Sequence, residues 1–118
     1  MTLERMSHAR QPRGRALIYG HDRELLDSRR LLLEADGYTA DTASDSPELE
    51  GHLLADTPYE VVVLCHTIDE TERGQIRHLL QKRNNAVPVY IMTTQTSPEI
   101  FLDEVARLTG NSVVLSKE

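Results

Sequence analysis

Three stretches of this chain are unbroken runs of β-forming apolar residues: Ala16-Leu17-Ile18-Tyr19, Val61-Val62-Val63-Leu64 and Val89-Tyr90-Ile91-Met92. A strand with one wet face alternates apolar and polar side chains, because successive residues point to opposite sides. Runs without that alternation suit strands covered on both faces, as in a parallel sheet flanked by helices. Tyr38-Thr39-Ala40-Asp41-Thr42 reads as a weaker strand at an edge, and Val113-Val114-Leu115 as the last strand.

Helix signals fill the gaps. Asp22 can cap a helix over 23–36, whose Leu25, Leu26, Leu32 and Leu33 make an apolar face before Gly37 stops it. Ser46-Pro47-Glu48 opens a second helix with cap, proline and acid in the preferred order, and Leu49, Leu53 and Leu54 recur at helical spacing. Residues 70–83 carry Ile76, Leu79 and Leu80. Ser97-Pro98-Glu99 repeats the opening signature ahead of Ile100, Phe101, Val105 and Leu108, with Gly110 as the stop. The order is βαβαβαβαβ, without internal repeat or low-complexity segment.

The 118 residues suffice for one domain, and 39% apolar against 27% charged residues supplies a packed core. The net charge of −6 argues against a nucleic-acid grip spread over the surface. Four arginines (Arg5, Arg10, Arg13, Arg15) against Glu4 make residues 1–15 net +3 and leave −9 on the remainder. Residues 1–14 thus form a basic arm, and 15–118 the domain. Without aromatic residues, the arm is a weak nucleic-acid signal, and no nucleic-acid partner is expected. Cys65 is the only cysteine, so neither an internal disulfide nor a multi-cysteine metal site is expected. No apolar run approaches the ~20 residues of a membrane span, and the N-terminus lacks the apolar stretch of a signal peptide. The expected setting is cytoplasmic, with no membrane partner.

Single helices between strands imply a doubly wound sheet with right-handed crossovers, commonly in the order 2-1-3-4-5. In that order only the first crossover runs the opposite way, so the helix at 23–36 is expected alone on one face and the other three on the opposite face. Ligands in this architecture sit at the carboxyl ends of the strands. The residues there are Gly20, His21, Asp22, Cys65, His66, Thr93, Thr94, Ser116 and Lys117. The hydroxyl- and glycine-rich loop of a flavin site, the Gly-x-Gly-x-x-Gly fingerprint, the Gly-x-x-x-x-Gly-Lys phosphate loop and the cobalamin pattern Asp-x-His-x-x-Gly are all absent, so no cofactor is expected.

Over about residues 15–117 the chain resembles the receiver domain of bacterial two-component response regulators, a flavodoxin-like five-stranded fold. Ala16-Leu17-Ile18-Tyr19-Gly20-His21-Asp22 stands where that family has a strand followed by acidic residues, and Leu31-Leu32-Leu33-Glu34-Ala35-Asp36-Gly37-Tyr38 matches the end of its first helix. Val61-Val62-Val63-Leu64-Cys65 falls on the strand ending in the phosphoacceptor aspartate. Val87-Pro88-Val89-Tyr90-Ile91-Met92-Thr93 matches the strand with the switch threonine, and Gly110 through Ser116-Lys117 the strand with the lysine.

The resemblance implies a site without its chemistry. Cys65 occupies the nucleophile position, and Gly20 and His21 the acidic pair that holds a hard divalent cation through oxygen ligands. Thiolate and imidazole suit softer metals, so no metal is expected. Thr93 and Lys117 match retained switch positions, although a one-residue shift exchanges Lys117 for Ser116, and the aromatic switch position falls on Val114. The expected protein is a degenerate receiver, not an enzyme: a phosphorylation-independent module of a two-component-type pathway that works through protein contacts. The alternative is a redox or small-ligand sensor in which Lys117 and His21 depress the Cys65 thiol pKa. A third reading keeps an active regulator with a displaced nucleophile, Asp22 or Asp69.

Each residue also has a plainer role. Thr93 can bond backbone at a strand end, Lys117 can be a solvated lysine, and Cys65 an inert, half-buried small residue. His66 follows Cys65 on a strand and so points to the other side. Receivers carry a fifth helix beyond the fifth strand, and this chain stops at Glu118. With three helices on one face and one on the other, part of the apolar sheet is expected bare, and leaving such side chains wet forgoes about 1.5–3 kcal/mol each. The expected cover is a second subunit in a homodimer, a larger regulator on which the domain docks, the arm folded back with Leu3 and Met6, or a C-terminal helix not in this chain.

Overall fold

The computed structural model describes residues 13–55, 58–82 and 87–111. Four strands, β1 (Arg15–Tyr19), β2 (Thr39–Ala43), β3 (Val61–Leu64) and β4 (Val89–Ile91), alternate with α1 (Arg23–Ala35), α2 (Ser46–Leu54), α3 (Glu70–Lys82) and α4 (Pro98–Leu108). The sheet is wholly parallel in the order β2-β1-β3-β4. The unbroken apolar runs lie where both faces are covered: all of β3, and β1 from Ala16 to Tyr19, are buried. β2 begins and ends one residue later than the sequence suggests. Met92 lies beyond β4, yet its N–H still donates to the Leu64 carbonyl at 2.8 Å. The expected fifth strand at Val113–Leu115, Ser116, Lys117 and arm residues 1–12 lie outside the described residues. The class is α/β, compatible with a flavodoxin-like fold of which four strands are seen.

Local chemistry sets each helix start. The Asp22 carboxylate accepts from the Glu24 and Leu25 N–H groups, and Ser97 Oγ from Ile100 N–H. At α2 the cap is Asp45 rather than Ser46: Asp45 accepts from Glu48 N–H, Pro47 falls in the first turn, and Glu48 reaches back to accept from the Ser44 N–H at 2.8 Å. Carboxylates suit the positive end of a helix. Gly37 ends α1 at φ +96°, a region closed to most side chains, and Tyr38 N–H folds back onto the Leu33 carbonyl.

Two cores sandwich the sheet. α1 and α4 pack on one face, where Leu26, Leu33, Phe101 and Val105 cover Ile18 and Val63. α2 and α3 pack on the other, where Leu49, Leu53, Ile76 and Leu80 cover Leu17, Val62 and Leu64. This corrects the expected three-to-one distribution. α4 lies beside α1, with its Thr109 hydroxyl 3.3 Å from Tyr38 Oη. The face expected to be half bare is therefore covered by the chain itself. The reason is energetic: crossing to that face buries Phe101 and Val105 fully, and Phe101 stacks on Tyr90. Arg13 and Gly14, read from sequence as the end of the arm, pack on the domain. Arg13 N–H donates to the Gly37 carbonyl, and its guanidinium lies over Tyr38 and pairs with Asp36 at 3.1 Å.

Candidate functional site

The carboxyl ends of β1, β2 and β3 bring Gly20, His21, Ser44, Cys65 and Thr67 together. Gly20 is pressed against the end of β3: a Cβ there would stand 2.9 Å from Cys65 Cβ and 3.3 Å from Thr67 Oγ1. A side chain at position 20 is thus opposed by packing. The His21 N–H donates to Thr67 Oγ1 at 3.1 Å, holding the β1 loop to the β3 loop.

The His21 ring spans a wider gap. Its Nδ1 lies 3.1 Å from the Ser44 carbonyl, and its Nε2 2.8 Å from a Glu72 carboxylate oxygen on α3. A carbonyl and a carboxylate only accept, so both ring nitrogens must carry protons for both bonds to form. The geometry therefore selects the imidazolium. In keeping with this, the His21 pKa is raised, chiefly by the bond to Glu72. The other Glu72 oxygen accepts from Tyr19 Oη at 2.6 Å. Burial first, and the Glu72 bond second, push that phenol up to about 12. A Tyr19–Glu72–His21–Ser44 chain thus ties β1, α3 and the β2 loop, with a histidine at a position that the sequence resemblance expects to be acidic.

The remaining mouth carboxylates are engaged as caps. Asp22 caps α1, Asp45 caps α2, and Asp69 accepts from the Glu72 N–H at 2.8 Å at the start of α3. Each faces its own helix end. Among the described residues, no group of three or more His, Cys, Asp or Glu side chains is placed to hold a metal ion.

Cys65 is 3% exposed and belongs to the α1/α4 core. Burial pushes its thiol up to about 11, against a smaller downward pull from Arg29. His21 directs its ring to Glu72 and Ser44 rather than to Cys65, and burial outweighs the pull of Arg29, so the thiol is favoured over the thiolate. His66 is exposed while Cys65 is buried, the opposed arrangement expected of neighbours at a strand end. Thr93 is exposed and held in a local turn: its Oγ1 accepts from Gln95 N–H at 3.2 Å, and its own N–H donates to Thr96 Oγ1 at 3.0 Å. Thr94 is exposed in the same turn. Lys117 lies outside the described residues, so its place beside Thr93 or Cys65 is left to the sequence.

Glu72 is the residue that the sequence reading did not single out. Its one signal is the spacing Asp69-x-x-Glu72, which reads as a capping box. Asp69 does cap, but the Glu72 side chain turns to His21 and Tyr19. A groove of about 230 Å³ runs beside the site between α2 and α3, lined by apolar Leu49 and Ile76 and by charged Glu50, Glu72 and Lys82 among others.

No family model matches the chain, and no curated protein matches it. No described helix is long and apolar enough to cross a membrane.

Proposed function

We propose that this protein is a receiver-like module that works by protein–protein contact and without phosphorylation, as a degenerate member of two-component signalling. One observation carries the reading: where a receiver needs converging carboxylates, the mouth holds a Gly20 backed by Cys65 and a His21 imidazolium already paired with Glu72. A hard cation needs several oxygen ligands, and here the ring supplies none while it occupies a Glu72 carboxylate oxygen. Asp22, Asp45 and Asp69 are spent on helix caps, which also weighs against a displaced nucleophile. The β2-β1-β3-β4 order supports the family resemblance at the level of fold. Its partners are other proteins, through a second copy or a larger regulator, and the module needs neither cofactor nor catalytic residue. The covered α1/α4 face removes the reason for placing a partner on the sheet itself.

The test is spectroscopic. Adding magnesium with beryllofluoride or a small phosphodonor should leave the amide spectrum of the full chain unchanged. Saturable shifts at Thr93, Lys117 and the Cys65 loop would overturn the reading.

A further inference from the structure

The two edges of the sheet are unequally protected. At the β2 edge, residues 39 and 43 bond to the β1 side, through Thr39 N–H to the Gly14 carbonyl and Gly20 N–H to the Ala43 carbonyl. Residues 40 and 42 therefore face outward. The outward Thr42 carbonyl accepts from His52 Nε2 at 2.9 Å, and Asp41 puts a charge in the strand. At the other edge, Val62 N–H donates to the Pro88 carbonyl at 3.0 Å, and Met92 N–H to the Leu64 carbonyl. Residues 88, 90 and 92 thus face β3, and Val89 and Ile91 aim two N–H and two C=O groups outward. Among the described residues no strand or side chain meets them.

Among the described residues this edge also lacks the usual guards. From Val87 to Ser97 there is no charged residue, and Pro88 presents its only backbone hydrogen-bonding group, the carbonyl, to β3. Val87, Val89, Tyr90 and Ile91 are half-buried, with Tyr90 at the rim of one core and the other three at the rim of the second. The edge is apolar on both sides of a ladder that is open among the described residues.

Closing this edge with Val113–Leu115, which lie outside the described residues, would run against a rule of topology. With α4 on the α1 face, a crossover from β4 to a strand outside β4 would be left-handed, against the strong right-handed rule. Asn111 is also clasped to the residue leading into β1: its side-chain amide donates to the Arg13 carbonyl at 2.6 Å, and Arg13 donates back to the Asn111 carbonyl. From β1 to a position beyond β4 is three strand spacings, about 14 Å. Extended chain covers roughly 3.5 Å per residue, so about four residues would be used in crossing.

We propose that the β4 edge is an interface between two copies of this chain, paired antiparallel across a two-fold axis at Tyr90 so that two four-stranded sheets join. The edge complements itself. Val89 exchanges N–H···O=C bonds with Ile91 of the second copy, and symmetry repeats the exchange, which satisfies all four outward groups of each edge. Tyr90 then faces its own copy as a non-hydrogen-bonded pair, with Cα atoms about 4.5 Å apart. This inference stands independently of the receiver reading.

Sedimentation equilibrium of the full chain should show the 13.4 kDa monomer rising toward twice that mass with concentration. Val89→Pro removes an outward N–H and no ladder bond within the chain. It should keep the circular dichroism spectrum and weaken the dimer about tenfold or more. Tyr90→Cys in a Cys65→Ala background should form a disulfide-linked dimer under mild oxidation, since the expected Cα separation suits the bond. That cross-link decides the matter if Val89→Pro fails to fold. A monomer at every concentration overturns the proposal, and slow amide exchange at Val89 and Ile91 in that monomer would assign the edge to the same chain. A dimer that neither Val89→Pro weakens nor Tyr90→Cys traps uses another surface and equally overturns it.

Discussion

At position 21 a histidine ring lies between two acceptors, and this one contact sets the electrostatics of the sheet's mouth. The bond to Glu72 favours the charged ring, so its pKa in the folded chain lies above the ordinary value. A group of this kind stabilises the fold fully below the unfolded value of about 6.5, and the contribution fades as pH rises through the higher folded value. The side chain is 44% exposed, so solvent screening keeps the effect small. Urea titrations of the wild type and His21→Gln should therefore differ most near pH 6, and the gap should narrow toward pH 9, about two and a half units beyond the free imidazole. A gap that stays constant or widens over that range would show that the ring acts only by packing. Gly20 illustrates a second residue-scale constraint. Position 20 lacks room for a side chain, because Cys65 and Thr67 occupy the space a Cβ would need.

The elements follow from capping and periodicity more than from propensity. α2 is the clearest case, since Asp45 and Ser46 compete for the same role. Asp45 wins because its carboxylate reaches the Glu48 N–H while Glu48 returns to Ser44, a reciprocal arrangement that leaves Ser46 in the first turn. Asp45→Ala should cost about 1 kcal/mol of stability, whereas Ser46→Ala should fall within ~0.5 kcal/mol of zero. Equal losses in thermal or chemical unfolding would return the cap to Ser46. α4 is opened by Ser97 and Pro98 as its sequence suggests, but which face it covers is not written in its caps. Its stripe of Phe101 and Val105 fits an apolar sheet surface on either side.

For the whole molecule, the placement of α4 is the decisive event. By joining α1 it divides the described helices two and two and buries both faces of the central strands. Phe101 carries much of that arrangement, being fully buried against Tyr90 and the central strands. Phe101→Ala should cost about 3–5 kcal/mol in equilibrium unfolding. It should also expose the Ile18/Val63 face to a hydrophobic dye. Loss under 1 kcal/mol with no dye binding would mean that α4 sits elsewhere in solution.

The strands β1, β3 and β4, the starts of α1 and α4, and the stop at Gly37 were legible in the residues, because each rests on local chemistry: an apolar run, a capping side chain, a glycine at positive φ. The parallel order also followed, since alternating strands and helices leave few right-handed arrangements. That Gly20, His21 and Cys65 stand at the carboxyl ends of β1 and β3 could be read from their places along the chain. What His21 bonds to could not. Glu72 is 51 residues from His21 in sequence, and its turn toward the ring rather than its own helix end depends on where the sheet sets α3. The face taken by α4 was likewise beyond the sequence, because an amphipathic stripe records that a helix must bury one side and leaves the opposing surface unspecified. Periodicity and caps are properties of neighbouring residues, whereas partners across a core are chosen by the competition for buried area over the whole fold.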